Sequence, residues 1–105
     1  MSERLSGLEE LVLLAVVAAG DDAYGVSIRD RLERAGQPSS LGTVYAALDA
    51  LQRKRCVSAT MSAPTPMRGG RRKKVFLATK HGRTLLASAA QVRRHLRTEA
   101  KAAAH

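Results

Sequence analysis

The spacing of the apolar residues changes once along the chain, and this change constrains the fold more than any other feature. Up to about residue 55 the apolar residues recur every three or four positions, which indicates helices, and from residue 57 they alternate with polar ones, which indicates a strand. Three helices, two strands and a final helix are predicted over about residues 7–19, 23–35, 41–55, 57–62, 74–79 and 80–103. A chain of 105 residues therefore holds one small, mostly helical α+β domain with an appended helix.

The predicted helices begin and end at suitable capping residues. Ser6 with Glu9 three residues later forms a capping box, and Gly20 and Gly36 are placed to end the first two helices. The N-caps of the later helices are assigned to Asp21 or Asp22, to Ser39 or Ser40, and to Thr79. Gly25, in the first turn of the second helix, predicts close packing against another element.

The charge of the chain is concentrated in its second half. Lys and Arg total 18 and Asp and Glu total 9, which gives a net charge of +9. Residues 1–49 carry four basic and eight acidic side chains, whereas residues 50–105 carry fourteen basic and one acidic. The densest run extends from Arg68 to Lys74, in a Gly- and Pro-containing loop between the strands. A solvated face is the alternative, but a run with no nearby carboxylate favours a polyanionic partner.

Composition argues against several classes of protein. Three aromatic residues are too few for recognition by repeated base stacking, and Cys56, the only cysteine, excludes an intramolecular disulfide and fits a reducing compartment. Cys56 is expected to be a small buried hydrophobe, with a redox-active thiol as the alternative. No export signal is visible, and the longest apolar stretch, residues 11–19, is too short to span a membrane. A soluble, cytoplasmic protein is expected.

The sequence offers no catalytic or metal-binding arrangement. His81, His95 and His105 show no metal-ligand spacing with Cys56 or with carboxylates, and no nucleophile is accompanied by a base. The expectation is a non-enzyme without metal or cofactor.

The third predicted helix has one apolar face and one small, basic face. Its expected core stripe is Leu41, Val44, Tyr45, Leu48 and Leu51. Its opposite face is expected to carry Thr43, Ala46, Ala47, Ala50, Arg53 and Lys54, with Gly42 at the edge. Small side chains and cations suit close approach to a large anion, and methyl groups suit contact with thymine methyls.

The first and last helices carry more apolar surface than a domain of this size can cover. The last helix is about 36 Å long, and its apolar residues recur at helix-pairing intervals. We therefore expect a homodimer whose interface contains Leu8, Leu11, Val12, Leu85, Ala89, Val92 and Leu96.

Three helices followed by a strand, a basic loop and a strand are typical of a winged helix-turn-helix, whose third helix enters the DNA major groove. Five motifs in order make the chain resemble the PadR family of bacterial transcriptional regulators. They are LVLLA from Leu11, AYGVSIR from Ala23, SLGTVYAALDAL from Ser40, GGRRKK from Gly69 and LATKHGR from Leu77. The resemblance covers about residues 5–90 and is with the short class of the family.

The resemblance implies a winged helix, a homodimer formed by the first and last helices, and repression by promoter binding. It implies that Ser40, Thr43 and Tyr45 lie near DNA. It also places Arg71, Arg72 and Lys73 on the wing. The chain contains no tryptophan, so the stacking of planar drugs on a tryptophan at the dimer interface, as in one branch of the family, is not expected.

The sequence thus predicts a winged-helix DNA-binding domain over residues 5–79 and a dimerisation helix over residues 80–105. The expected DNA-binding residues are Ser39, Ser40, Gly42, Thr43, Tyr45, Ala46, Ala47, Arg53, Arg68, Arg71, Arg72 and Lys73. The expected function is repression from a pseudo-palindromic operator in double-stranded DNA, with an unknown small-molecule effector left open. The alternatives are a sequence-indifferent basic nucleic-acid binder and, less favoured by the charge of the loop, a protein-interaction module.

Overall fold

The order of elements in the computed structural model, which describes residues 4–62 and 73–104, is the predicted one. The helices are α1 (Gly7–Ala19), α2 (Gly25–Arg34), α3 (Leu41–Arg53) and α4 (Lys80–Ala103), and the strands are β1 (Val57–Met61) and β2 (Lys74–Ala78). The prediction of a mostly helical domain with a two-stranded wing is confirmed. The loop that carries Arg68, Arg71 and Arg72 lies outside the described residues.

Helix α1 has the predicted ends. The Ser6 hydroxyl accepts a hydrogen bond from the Glu9 N–H at 3.1 Å, and the Glu9 carboxylate accepts one from the Ser6 N–H at 2.9 Å. These two bonds satisfy N–H groups that have no partner inside the helix. Gly20 ends the helix with a φ of 58°, a left-handed conformation that favours glycine.

Helix α2 begins two residues later than predicted, and the prediction that Asp21 or Asp22 caps it is wrong. Ala23 and Tyr24 are instead drawn into the sheet, since the Ala23 carbonyl accepts from the Phe76 N–H at 2.7 Å and Tyr24 forms a bridge with Val75. The helix therefore starts at Gly25, and the Ser27 hydroxyl accepts from the Tyr24 N–H at 3.1 Å. Residues 20–22 form a single 3₁₀ turn before this extended pair.

Helices α2 and α3 end in the same hydrogen-bonding motif with different residues. In each, the residue after the helix cap takes a positive φ, 92° for Gly36 and 61° for Arg55. The following N–H groups, of Gln37 and Cys56, each bond to a carbonyl five residues earlier, at 2.8 Å. Both ends are Schellman motifs, and Arg55 occupies a position where glycine is usual.

The core lies between the three short helices and the hairpin. The strands pair antiparallel, from Val57 opposite Ala78 to Met61 opposite Lys74. The largest fully buried side chains, which are apolar apart from one thiol, are Phe76, Leu13, Ile28, Leu48, Leu51, Val12, Val16, Val44 and Cys56. Cys56 is thus placed as the buried small side chain that the sequence predicts.

The start of α4 is fixed to the domain by its N-cap and by a close backbone contact. Thr79 caps it as predicted, accepting from the Gly82 N–H at 3.0 Å, and the Thr79 hydroxyl donates to the Arg55 carbonyl at 2.7 Å. A Cβ at Gly82 would lie 3.0 Å from the Cys56 carbonyl carbon, so glycine permits this close contact. From residue 91 to residue 104 every side chain is exposed. Among the described helices none is long and apolar enough to cross a membrane.

Candidate nucleic-acid interface

The buried face of α3 is rotated relative to the predicted one. Val44, Leu48 and Leu51 are fully buried, and Ala47 is only 6% exposed. The prediction that Ala47 contacts DNA is therefore wrong, because its methyl group packs in the domain core. Tyr45, predicted for the core stripe, is instead 41% exposed. Sequence spacing placed the apolar stripe of α3 too near Tyr45, because spacing does not show which flank of a helix is covered by the neighbouring helices.

The outward face of α3 is a ridge of four exposed residues. At 100° per residue, the ridge lies about 150–170° around the helix from the centre of the buried face. It consists of Gly42, Ala46, Asp49 and Arg53. Three of these were expected to lie near DNA, and Asp49 was missed. The outward ridge becomes visible in the sequence once Ala47 is assigned to the core.

The first turn of α3 is arranged by a pair of hydroxyl groups. Ser40 is the N-cap, and its side chain accepts from the Thr43 N–H at 3.1 Å. The Ser40 hydroxyl also donates to the Thr43 hydroxyl oxygen at 2.8 Å. Both residues are exposed, and Ser39 beside them is half-buried. A helix start of this kind attracts phosphate groups through its N–H groups and dipole.

Tyr45 is positioned by the close approach of α2. A Cβ at Gly25 would lie 2.5 Å from Cζ of the Tyr45 ring, so glycine leaves the space that the ring occupies. The close packing predicted at Gly25 is confirmed. The ring thereby rests against the start of α2 while part of it faces solvent, in a position to contact a ligand lying across both helices.

The base of the wing is held by a ring of hydrogen bonds. The Ser62 N–H donates to the Lys73 carbonyl at 2.7 Å, and the Lys73 N–H donates to the Ser62 hydroxyl at 2.8 Å. The Lys73 ammonium lies 4.0 Å from the centroid of the Tyr24 ring, a cation–π contact. Lys73 is exposed and adds positive charge beside the start of α2.

Lys54 does not belong to the outward face for which it was predicted. Its ammonium binds the Glu9 carboxylate and donates to the Arg4 carbonyl at 2.9 Å, so the end of α3 is tied to the start of α1. Burial raises the pKa of Glu9, but Lys54 and the hydrogen bonds from Ser6 outweigh burial. The pKa of Glu9 therefore lies below its ordinary value of 4.5.

A second exposed surface, of different chemistry, lies along α1 and α4. Val92 and Leu96 are 58% and 56% exposed, and Leu11 and Leu14 of α1 are also exposed. Arg93 forms a forked ion pair with Glu10 that joins α4 to α1, with distances of 2.8 and 3.0 Å. The hydrogen bonds that Arg93 donates to this carboxylate raise the pKa of Arg93.

Not every residue predicted for the dimer interface is exposed. Val12 is fully buried in the domain core, so the prediction that it contacts a partner is wrong. Leu8, Leu85 and Ala89 are half-buried, and Leu8 and Leu85 pack against the core. Val12 lies on the side of α1 that faces the domain core, and only the opposite side of the helix is open to a partner.

The comparison with protein-family models decides the family. The model described as "Transcriptional regulator PadR-like family" matches residues 13–88, which is most of the chain. The chain belongs to the PadR-like family of transcriptional regulators. This confirms the resemblance found in the sequence. A comparison with curated proteins finds no match.

Solved PadR-like structures share the fold. A PadR-like transcription factor from Bacteroides fragilis is 22% identical, with a TM-score of 0.75, covering 92% of this chain and 89% of that one. A PadR family regulator from Clostridium difficile R20291 is 24% identical, with a TM-score of 0.72 over 88% and 93%. A PadR-like regulator from Bacillus cereus is 22% identical, with a TM-score of 0.73 over 90% and 87%. These likenesses confirm the winged-helix fold with a long C-terminal helix.

Proposed function

We propose that this PadR-like protein is a homodimeric repressor that binds a pseudo-palindromic operator, acting in the cytoplasm by binding and not by catalysis. In this proposal residues 5–79 bind DNA, and the helix over residues 80–105 dimerises. The observation that carries the proposal is the outward ridge of α3 in a winged-helix domain of a regulator family.

The outward ridge is suited to the major groove. Gly42 and Ala46 have small side chains, so the helix axis can approach the base edges closely. Ser40 and Thr43 at the helix start are placed for phosphate contacts, and Arg53 extends from the last turn. Because the helix supplies few hydrogen bonds to bases, DNA shape and the wing are expected to contribute to specificity.

The wing contributes phosphate contacts in this proposal. Lys73 is exposed at the base of the wing, next to Tyr24. Arg68, Arg71 and Arg72, which precede Lys73 in the sequence, are proposed to contact the DNA backbone. Backbone contacts fix the position of the domain on the duplex without selecting a sequence.

Homodimerisation supplies the second half-site. Val92 and Leu96 expose large apolar side chains on a stretch of α4 where no described part of the same chain covers them. A second copy of α1 and α4 offers matching apolar surface across a two-fold axis. Two linked domains bind two half-sites far more tightly than one domain binds one.

Selection of bound duplexes from a random DNA pool tests this function. We expect an inverted repeat whose half-sites are about one helical turn or a multiple of it apart. Equal affinity for selected and random DNA would contradict sequence-specific regulation and favour a sequence-indifferent basic binder. A single unrepeated site would contradict the two-fold arrangement.

A further inference from the structure

Asp49 stands in the middle of the outward ridge of α3. It lies between Ala46 and Arg53 on the face opposite the buried residues, and its side chain is exposed. Within residues 4–62 and 73–104 it has no ion pair and no side-chain hydrogen bond, not even with Arg53 one turn away. The structure of the domain itself thus gives this carboxylate no partner among the described residues.

A carboxylate in this position opposes general affinity for DNA. It repels phosphates, and it is the last acidic residue before the strongly basic residues 50–105, whose one acidic side chain is Glu99. A protein that only needed to hold a polyanion would bind more tightly with a neutral or basic residue here. The useful property of Asp49 is therefore one that distinguishes one base pair from another.

Base edges in the major groove differ in how they meet a carboxylate. Cytosine presents an amino group that donates a hydrogen bond to it, whereas guanine and thymine present acceptor atoms, which repel it, and no donor. Adenine presents an amino group next to the N7 acceptor, so a carboxylate suits it less well than cytosine. A carboxylate selects by repulsion from wrong bases as well as by attraction to the right one.

We propose that Asp49 is a specificity-determining residue that selects cytosine at one position of each half-site. The inference rests on the proposed function, because it requires α3 to lie in the major groove. Asp49 acts directly on the base edge, while the outward methyl of Ala46 and the absent side chain of Gly42 let the helix come close enough for contact.

The experiment compares DNA selections by four forms of the full chain. Asp49→Asn keeps the shape of the side chain and exchanges the carboxylate for an amide, which pairs best with adenine. Asp49→Ala removes the polar group. Glu99→Gln is the charge-matched control, since it removes the one acidic side chain of residues 50–105, at the exposed end of α4. Thermal unfolding of each form accompanies the selections.

The proposal expects a fixed C·G pair in the motif of the unmodified protein and of Glu99→Gln. Asp49→Asn should change that pair to A·T, and Asp49→Ala should lower discrimination there by about 5- to 150-fold, with other positions unchanged. Both Asp49 variants should bind random DNA more tightly. The melting temperatures of all four proteins should agree closely, because Asp49 is exposed.

Two other results would overturn the proposal. If both Asp49 variants bind every sequence more tightly by the same factor and keep the motif, Asp49 acts by charge alone. If they lose affinity for every sequence and melt earlier, its role is structural. Failure of the proposed function gives a different result, because the unmodified protein itself would then select no motif, and the proposal for Asp49 would fall with it.

Discussion

Two exposed surfaces of the described residues, the outward ridge of α3 and the far half of α4, differ in the size and polarity of their side chains. The ridge carries small or charged residues, whereas α4 exposes Val92 and Leu96. Covering small and polar side chains removes little apolar area from water, while covering valine and leucine removes much more, at about 25 cal/mol per Å². The difference teaches that the chemistry of the two surfaces suits different partners, which in the proposed function are the hydrated, charged groove of DNA for α3 and another apolar protein surface for α4.

The largest expected effect comes from making the α4 surface polar. Val92→Asp with Leu96→Asp should convert the proposed dimer into a monomer, because four carboxylates would have to be buried in its interface. Affinity for the operator should fall by about 10²- to 10⁴-fold as the linkage of half-sites is lost, with weak binding to random DNA retained. Sedimentation and competition binding on the same sample measure both effects.

The matched control places the same charges on another side of α4. Ala87→Asp with Thr98→Asp changes two exposed residues about 120–180° around the helix from Val92 and Leu96. We expect this variant to stay dimeric and to keep its preference for the operator. If the double variant at Val92 and Leu96 remained dimeric, these residues of α4 would not lie in the dimer interface, and the two surfaces would not differ in partner as proposed.

Lys54 and Arg53, two neighbouring cations at the end of α3, are expected to have different roles, one in stability and one in DNA binding. Lys54→Met should lower the free energy of unfolding by about 1–3 kcal/mol, because it leaves the carboxylate of Glu9 buried without its cation. Arg53→Met should change stability by less than about 0.5 kcal/mol, since Arg53 is exposed, but should weaken DNA binding. Urea denaturation and DNA titration of both variants test the assignment. Similar losses of stability in the two variants would show that Arg53 is wrongly assigned to the outward ridge.

The ion pair at Glu9 also gives stability a defined pH dependence. The pKa of Glu9 is lowered in the folded protein. The contribution of the ion pair to the free energy of unfolding is therefore present above the unfolded pKa of 4.5 and is lost as the pH falls through the lower folded pKa. The stability difference between the unmodified protein and Lys54→Met should therefore shrink on acidification. Urea midpoints between about pH 6 and about pH 3 measure it. A difference that stays constant over this range would mean that Glu9 and Lys54 are not coupled.

The smallest expected effect lies at the joint between the two surfaces, where the end of α3 meets the start of α4. Arg55→Gly should raise the free energy of unfolding by about 0.5–1 kcal/mol, since Arg55 has a positive φ and Gly36 ends α2 in the same motif. Arg53→Gly, inside the helix, should instead lower it by up to about 1 kcal/mol. Thermal unfolding of the two variants measures both effects. A loss of stability in Arg55→Gly would contradict the prediction and assign a structural role to the Arg55 side chain.

Features fixed by neighbours in sequence could be predicted, and features fixed by distant contacts could not. The ends of α1 and the start of α4 follow from side chains within three residues, as in the pairs Ser6 with Glu9 and Thr79 with Gly82. The start of α2 was missed because β2, some fifty residues away, binds Ala23 and Tyr24 into the sheet.

The candidate site was predicted in part for the same reason. Ser40, Thr43, Ala46 and Arg53 are exposed on α3 as expected. Ala47 stands at the border of the apolar stripe of α3, and Val12 belongs to a helix that is apolar almost all the way round. Which of these side chains are buried depends on how neighbouring helices cross, and spacing alone does not determine that angle. Lys54 was assigned to the same face as Arg53, because the sequence does not show that Lys54 pairs with Glu9, forty-five residues earlier.

The central claim is that the two surfaces serve two partners, and side-chain labelling by hydroxyl radicals tests it most directly. Mass spectrometry then compares Tyr45 on α3 with Leu96 on α4, both exposed in the single chain. At a protein concentration that maintains the dimer, adding operator DNA should protect Tyr45 and leave Leu96 unchanged. Raising the protein concentration without DNA should protect Leu96 and leave Tyr45 unchanged. Protection of Leu96 by DNA in the established dimer, or of Tyr45 by dimerisation alone, would contradict the claim.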